Sequence, residues 1–342
     1  MQQFPSLSDR DLLGSIEQVA EVRLVRVEDG IEAGNRILQF RACGLAFDVQ
    51  VDRGFDIGRA EAWGRPVGWR GHAGFPHPML LSNDTGLEPM RIWGGGLVMT
   101  GGLDHAFGPA RSSAKAFNYP WRDHQEHPMH GRTWFTPAQI RSYGTNWVGE
   151  RLTCFAEGEV HQASAFGEHL VLIRRIEAVA GEGAVTIRDR VVNLGSAPTS
   201  HMFLYHLNFG APLVEPGTRV VGDLIDPVPL GGAPGSPLLA PEPLPGESER
   251  VFLHRTPSGR AVVKLINDRR AMEASVEVQS DQFPYFLVWQ SVAPRSFGLG
   301  LEPSTNAPFG RDAAADAEEL IVLEPDEVRE YDLRLAFTVE QR

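Results

Sequence analysis

What most constrains this chain is a period of two that keeps returning. VRLVRVED, NRILQFRAC and LAFDVQVD alternate apolar with polar residues and are closed by Gly or Asp. The same alternation recurs in HLVLIRRIEAVA, AVTIRDRVVNLG, RAVVKLIND, ASVEVQS, FPYFLVWQSV and VREYDLRLAFTV. Successive side chains of a strand point to opposite faces, so such segments bury one face and wet the other. Turn clusters such as AGEGA and NLGSAPTS join many of them, and 36 Gly and 25 Pro supply tight turns. Strand after strand without long amphipathic helices argues against a doubly wound α/β fold and for an all-β one. A short helix is expected over 8–20, N-capped by Ser8. The Pro- and Gly-rich stretch 222–250 reads as a long surface loop rather than a linker, because strands of one kind flank it. The 342 residues, 42% hydrophobic, are therefore assigned to one domain, with 1–30 as an N-terminal elaboration.

The formal net charge is −12, Lys is scarce and the arginines are scattered. Nucleic acid and anionic membranes need a basic patch, so neither is an expected partner. MQQFPSLSDRDLLGS lacks a basic stretch followed by an apolar one, and no apolar run approaches the ~20 residues of a membrane span, so a cytoplasmic protein is expected. Cys43 and Cys154 sit in apolar strand-like runs and read as small buried hydrophobes rather than as a disulfide or reactive thiols.

WGGGLVMTGGLDHAFGP lacks the Gly-Lys-Ser/Thr of a phosphate loop and the spacing of a dinucleotide fingerprint. Its glycines read as places where backbone passes close to a ligand or a neighbouring strand. DHQEHPMHG spaces His124, His127 and His130 three apart. A metal site would suit those residue types. Pro128 breaks the helix that would align them, and in an extended segment residues three apart face opposite ways, so no metal is assigned. His130 is the best placed, before Gly131 and an aromatic stretch. There Trp134 and Phe135 offer a sugar a flat face to stack on, or simply pack a core.

SHMFLYHLNFGAPL is an apolar run carrying His201, Tyr205, His206 and Asn208. His206 and Asn208 share one strand face, either as pocket groups or as satisfied core polar groups. Glu302 ends an apolar, Gly-spaced strand in SFGLGLEPSTNAPFGR. A partly buried carboxylate there is a natural general base, and a surface strand-end glutamate is the plain alternative.

Together, MHGRTWFTPA, LYHLNFGAPL and LGLEPSTNAPFGR resemble, in order, the motifs of the galactose mutarotase or aldose 1-epimerase superfamily. The first has Gly-Arg where that family has Gly-Gly. VDRGFDIGRAEAWGRPVGW, WGGGLVMTGGLDHAFGP and LYHLNFGAPL resemble a divergent branch, domain of unknown function 4432, over about residues 30–340. The resemblance implies a β-supersandwich of antiparallel sheets with one concave sugar-binding face. It implies an isomerase that interconverts sugar anomers with no cofactor. By the same likeness Glu302 is the general base, His206 the general acid and His130 the histidine that holds a substrate hydroxyl.

The family's Asn-Arg has no convincing counterpart, since Asn35-Arg36 reads as a strand start, and its sugar-binding aspartate has no clear match. Asp104 and His105 are substitutes for it, Arg53 and Asp56 either reach the pocket or brace a strand end, and Trp289 and Gln290 are expected to floor it. The expected partner is a small-molecule sugar, and a homodimer stays open. Competing readings are a non-catalytic sugar-binding protein, a metal-dependent isomerase or lyase using His124, His127 and His130, and a sugar-phosphate epimerase drawing on Arg91, Arg132 and Arg311.

Overall fold

Along His169–Val179, Leu170, Leu172, Ile176 and Ala178 are buried, and between them the inward row carries one cation, Arg174. That alternation is the rule of the computed structural model, which describes residues 5–231 and 235–340. Two antiparallel sheets dominate. An eight-stranded sheet runs in the order Arg219–Gly222, Arg260–Asn267, Met272–Gln279, Val328–Val339, Ala184–Asn193, His169–Val179, Arg151–Ala163 and Ala138–Val148. An eleven-stranded sheet begins with four N-terminal strands from Ala20–Arg26 to Asp56–Ala62 and ends with Tyr285–Ser291, Glu249–Arg255 and Ile225–Gly231. Between these ends three distant parts of the chain meet: Val98–Gly101, Leu204–Phe209 and Gly298–Ser304.

The main core lies between the two sheets. Ile176, Ile187 and Leu333 of one meet Leu207, Phe286 and Leu301 of the other. Arg174 is satisfied inside this core: it bonds Asp189 at 2.9 and 2.6 Å, Asp56 Oδ1 at 2.5 Å and Thr100 Oγ1 at 2.8 Å. Tyr205 donates to the same Asp189 at 2.6 Å. Because the inner face of the larger sheet is taken up this way, its other face is free to form a site.

Expectations for two segments, 8–20 and 222–250, are corrected. Residues 8–20 form two short 3-10 turns, Leu7–Leu12 and Ile16–Gln18, instead of one helix, with Gly14 between them and the caps at Ser6 and Ser15. The N-terminal elaboration supplies an edge strand, Ala20–Arg26, to the larger sheet. The stretch 222–250 contains another, Ile225–Gly231, whose irregular pairing with Glu249–Arg255 tolerates Pro227 and Pro229 because an edge strand can spare ladder bonds. Both cysteines are free; Cys154 is buried, with its thiol pushed up to about 12 by desolvation, whereas Cys43 is only half-buried. No helix among the described residues is long and apolar enough to cross a membrane.

Candidate active site

The outer face of the larger sheet carries His206, Glu302, Leu287 and Trp289 into one cavity of about 550 Å³, within the roughly 300–1,000 Å³ usual for small-molecule sites. Register explains the meeting. Leu204 lies opposite Ser304 and Leu207 opposite Leu301, which sets His206 across from Glu302. On the next strands Leu287 stands opposite Glu302, Trp289 opposite Gly300, and Val251 opposite Trp289. Residues far apart in sequence thus share one pleat face.

His206 Nε2 is 3.2 Å from Glu302 Oε1, out of line for a full hydrogen bond, and both side chains are buried. Burial holds the His206 imidazolium well below its usual range, and neighbouring His130 adds to this. Burial, with a smaller push from Glu249, raises the Glu302 carboxyl well above the ordinary carboxylate range. Both shifts favour the neutral form of each group, a protonated carboxyl beside an uncharged imidazole.

His130 reaches the cavity from a loop. Its backbone adopts φ +60°, next to Gly131 at +71°, and a Cβ on Gly131 would come within 2.2 Å of the His105 carbonyl oxygen. Only glycine allows that approach. The His130 amide donates to Phe107 O at 2.7 Å, and its Nδ1 donates to Ala106 O at 2.8 Å. A carbonyl only accepts, so Nδ1 carries the proton and Nε2 remains an acceptor. Burial lowers the His130 pKa to about 4, which keeps the ring neutral.

Aromatic rings enclose the pair. The His206 ring meets Trp93 at 5.5 Å, Trp289 at 5.4 Å and His130 at 5.2 Å, all edge-on. Trp289 Nε1 donates to Glu249 Oε2 at 2.8 Å, and Phe107 and Phe309 complete the walls. Trp93 Nε1 and His206 Nδ1 have no hydrogen-bond partner among the described residues. The cavity therefore combines a buried imidazole–carboxyl pair with flat apolar faces. Among the described residues no Lys or Arg lines it.

A family model described as Domain of unknown function (DUF4432) matches residues 32–337. The chain belongs to the DUF4432 family. No curated protein matches it. Its fold is that of solved mutarotase-like proteins. A protein named as a "putative aldose 1-epimerase" from Klebsiella pneumoniae subsp. pneumoniae MGH 78578 superposes with a TM-score of 0.83 at 18% identity, covering 97% of this chain and 86% of that one. A galactose mutarotase-like protein from Clostridium acetobutylicum gives 0.64 at 12% identity, over 93% and 98%.

The other residues expected at the substrate lie outside the cavity of this DUF4432 chain. Asp104 is fully buried; it accepts from Tyr119 Oη at 3.1 Å, lies 3.1 Å from His127 Nδ1 and has Arg311 beside it. His105 stacks on His127 at 4.9 Å and bonds Gly108 O at 2.6 Å by Nε2. Arg53 donates to Pro76 O and Ile92 O, both at 2.6 Å, and lies over the Trp134 ring, so it braces backbone beside Trp93. Asp56 is committed to Arg174 and Thr100. Trp134 packs with Phe135, Ile92 and Met99. Asn208 donates to Gly96 O and Gln290 to Ser236 O, which ties loops to the sheet.

The three spaced histidines part company: His124 is exposed, His127 is buried against Asp104 and Ser112, and His130 faces the cavity. Among the described residues no group of three or more His, Cys, Asp or Glu side chains is placed to hold a metal ion. Of the arginines named for a sugar phosphate, Arg91 pairs with Glu88, Arg132 with Asp84, and Arg311 donates to the Asp104 carbonyl. Trp93 and Glu249 are among the pocket residues that the sequence did not point to. Trp93 opens the WGGG run, where the glycines drew attention, and Glu249 begins a strand next to the Pro-rich stretch.

Proposed function

We propose that this protein is a carbohydrate-active isomerase of the aldose 1-epimerase type, interconverting the α and β anomers of an aldose. The observation that carries the reading is the His206–Glu302 pair, an imidazole and a carboxyl buried 3.2 Å apart in an aromatic-walled cavity.

Anomer exchange needs one proton taken from the anomeric hydroxyl and one given to the ring oxygen. The C1–O5 bond then breaks, the aldehyde end turns about C1–C2, and closure on the other face returns both protons. With the proton resting on Glu302, the carboxyl supplies the ring oxygen and His206 accepts from the anomeric hydroxyl. The reverse passage exchanges the roles, with Glu302 as base and His206 as acid, the assignment expected from sequence. His130 Nε2 accepts from a substrate hydroxyl. Trp93 and Trp289 give the sugar's C–H face an apolar surface, and Glu249 takes a hydroxyl at the rim. The balance of protons is closed within the pair, so the step draws on no redox partner.

The test is anomer exchange of freshly dissolved pure anomers, followed by polarimetry or NMR over several neutral aldoses. Acceleration of at least one supports the reading, and buffer-rate exchange for all of them overturns it.

A further inference from the structure

In the proposed exchange His206 meets the anomeric hydroxyl on C1 and Glu302 meets the ring oxygen. On a pyranose ring C5 follows that oxygen on the side away from C1, and C5 carries C6. A line drawn from His206 to Glu302 therefore runs on toward C6. Across the sheet the same line leaves Leu204–Phe209, crosses Gly298–Ser304 and reaches Tyr285–Ser291, Glu249–Arg255 and the edge strand Ile225–Gly231. The side chains met along it are aliphatic. Leu287 stands opposite Glu302, Val251 is one strand further, and Leu230 adjoins Gly231, the residue paired with Val251. All three line the cavity, as does Phe107, which packs in one cluster with Leu287. Leu230 and Val251 are only half-buried against that cluster, so part of their apolar surface is left for an occupant.

Among the described residues, the polar lining side chains outside the pair gather elsewhere. His130 and Trp93 lie beside the His206 ring, and Ser248 and Glu249 stand at the start of their strand, where Trp289 Nε1 bonds Glu249. A hydroxymethyl group placed against Leu287, Val251 and Leu230 would give up its bonds to water without replacing them, whereas a methyl group would gain from the same burial. We propose that the substrate is a 6-deoxyhexose, whose C6 methyl packs on Leu287, Val251 and Leu230. The inference rests on the roles given above to His206 and Glu302, because they set which way round the ring lies.

The test compares each 6-deoxyhexose with the hexose that differs from it only at C6: D-fucose with D-galactose, D-quinovose with D-glucose, and L-rhamnose with L-mannose. Binding to the full chain is read by calorimetry and saturation-transfer NMR, and anomer exchange by NMR on fresh anomers. Wild type is expected to favour the 6-deoxy member of at least one pair by roughly 10- to 100-fold, the discrimination an apolar pocket makes against an added hydroxyl. Val251→Thr, close to isosteric, and Leu230→Gln, on the edge strand, each offer C6 a hydrogen-bonding group. In whichever variant melts like wild type the preference should shrink by roughly 3- to 10-fold, the worth of one hydrogen bond. The inference is overturned if no pair binds, if both members bind alike in every pair, or if the preference survives unchanged in every variant that folds. Tighter binding of a 6-deoxyhexose with exchange at the buffer rate would support the C6 pocket and overturn the anomer-exchange reading. Hexoses exchanged as efficiently as their 6-deoxy partners would do the reverse.

Discussion

His206 and Glu302 stand opposite each other on neighbouring antiparallel strands, Nε2 to Oε1 at 3.2 Å, with their backbones separated by almost a hundred residues of chain. The sheet supplies their geometry, and burial in the aromatic shell favours the neutral form of both groups.

That shell gives a pH signature on stability. The fold favours the protonated Glu302 carboxyl, raised by burial and then by Glu249. Stability from a raised carboxyl is fully present below its unfolded pKa of about 4.3 and is lost as pH rises through the folded value. Glu302→Gln removes that loss. Thermal melts should show the variant more stable than wild type at pH 8, with the gap closing toward pH 4; a gap that does not change with pH would contradict this electrostatic account.

His130 titrates with the opposite sign. Burial lowers its pKa from 6.5 to about 4, so its neutral form is the stable one. Stability is present above about 6.5 and falls as the pH drops toward 4, by roughly 3 kcal/mol for this one group. His130→Gln keeps a donor for Ala106 O and does not titrate. Urea unfolding at pH 7 and pH 4.5 should show a smaller acid loss in the variant than in wild type.

Asp56 illustrates a residue whose importance lies in stability. It and Asp189 flank the fully buried Arg174. Arg174→Met would leave two carboxylates in the core without their cation and should cost roughly 3–5 kcal/mol in urea unfolding. Asp56→Asn should lower stability by less and, in the folded fraction, leave anomer exchange near wild type. Loss of exchange in folded Asp56→Asn would return that residue to the site.

Much of this was legible in the sequence. The period of two gave the all-β class, and the apolar run around His206 and the Gly-spaced strand before Glu302 are the two strands that meet. Of the two readings left open for Arg53 and Asp56, the structure has the bracing one, and Asp104 and Gln290 lie outside the cavity for a related reason. A linear chain does not reveal which polar groups are consumed by partners elsewhere in the sequence: Arg174 for Asp56, Tyr119 for Asp104, the Ser236 carbonyl for Gln290. Glu249 went unnoticed for the converse reason. It looks like an ordinary strand-end glutamate until the sheet order puts its strand beside Trp289.

Glu249 therefore deserves its own variant. Glu249→Gln keeps shape but removes the charge that accepts from Trp289 and, in the proposed complex, from a sugar hydroxyl. Loss of a charged hydrogen bond of about 1.5–3 kcal/mol predicts a drop of roughly 10- to 100-fold in kcat/KM, read mainly in KM. An unchanged KM would remove Glu249 from the substrate.

The most direct measurement is anomer exchange by wild type, Glu302→Gln and His206→Asn side by side on the best neutral aldose, with folding checked by thermal melts. Wild type is expected to accelerate exchange, with a loss of roughly 10²–10⁴-fold in each folded variant, the contribution usual for a positioned acid or base. Full activity in either variant, or a wild type that binds the aldose and leaves exchange at the buffer rate, would contradict it.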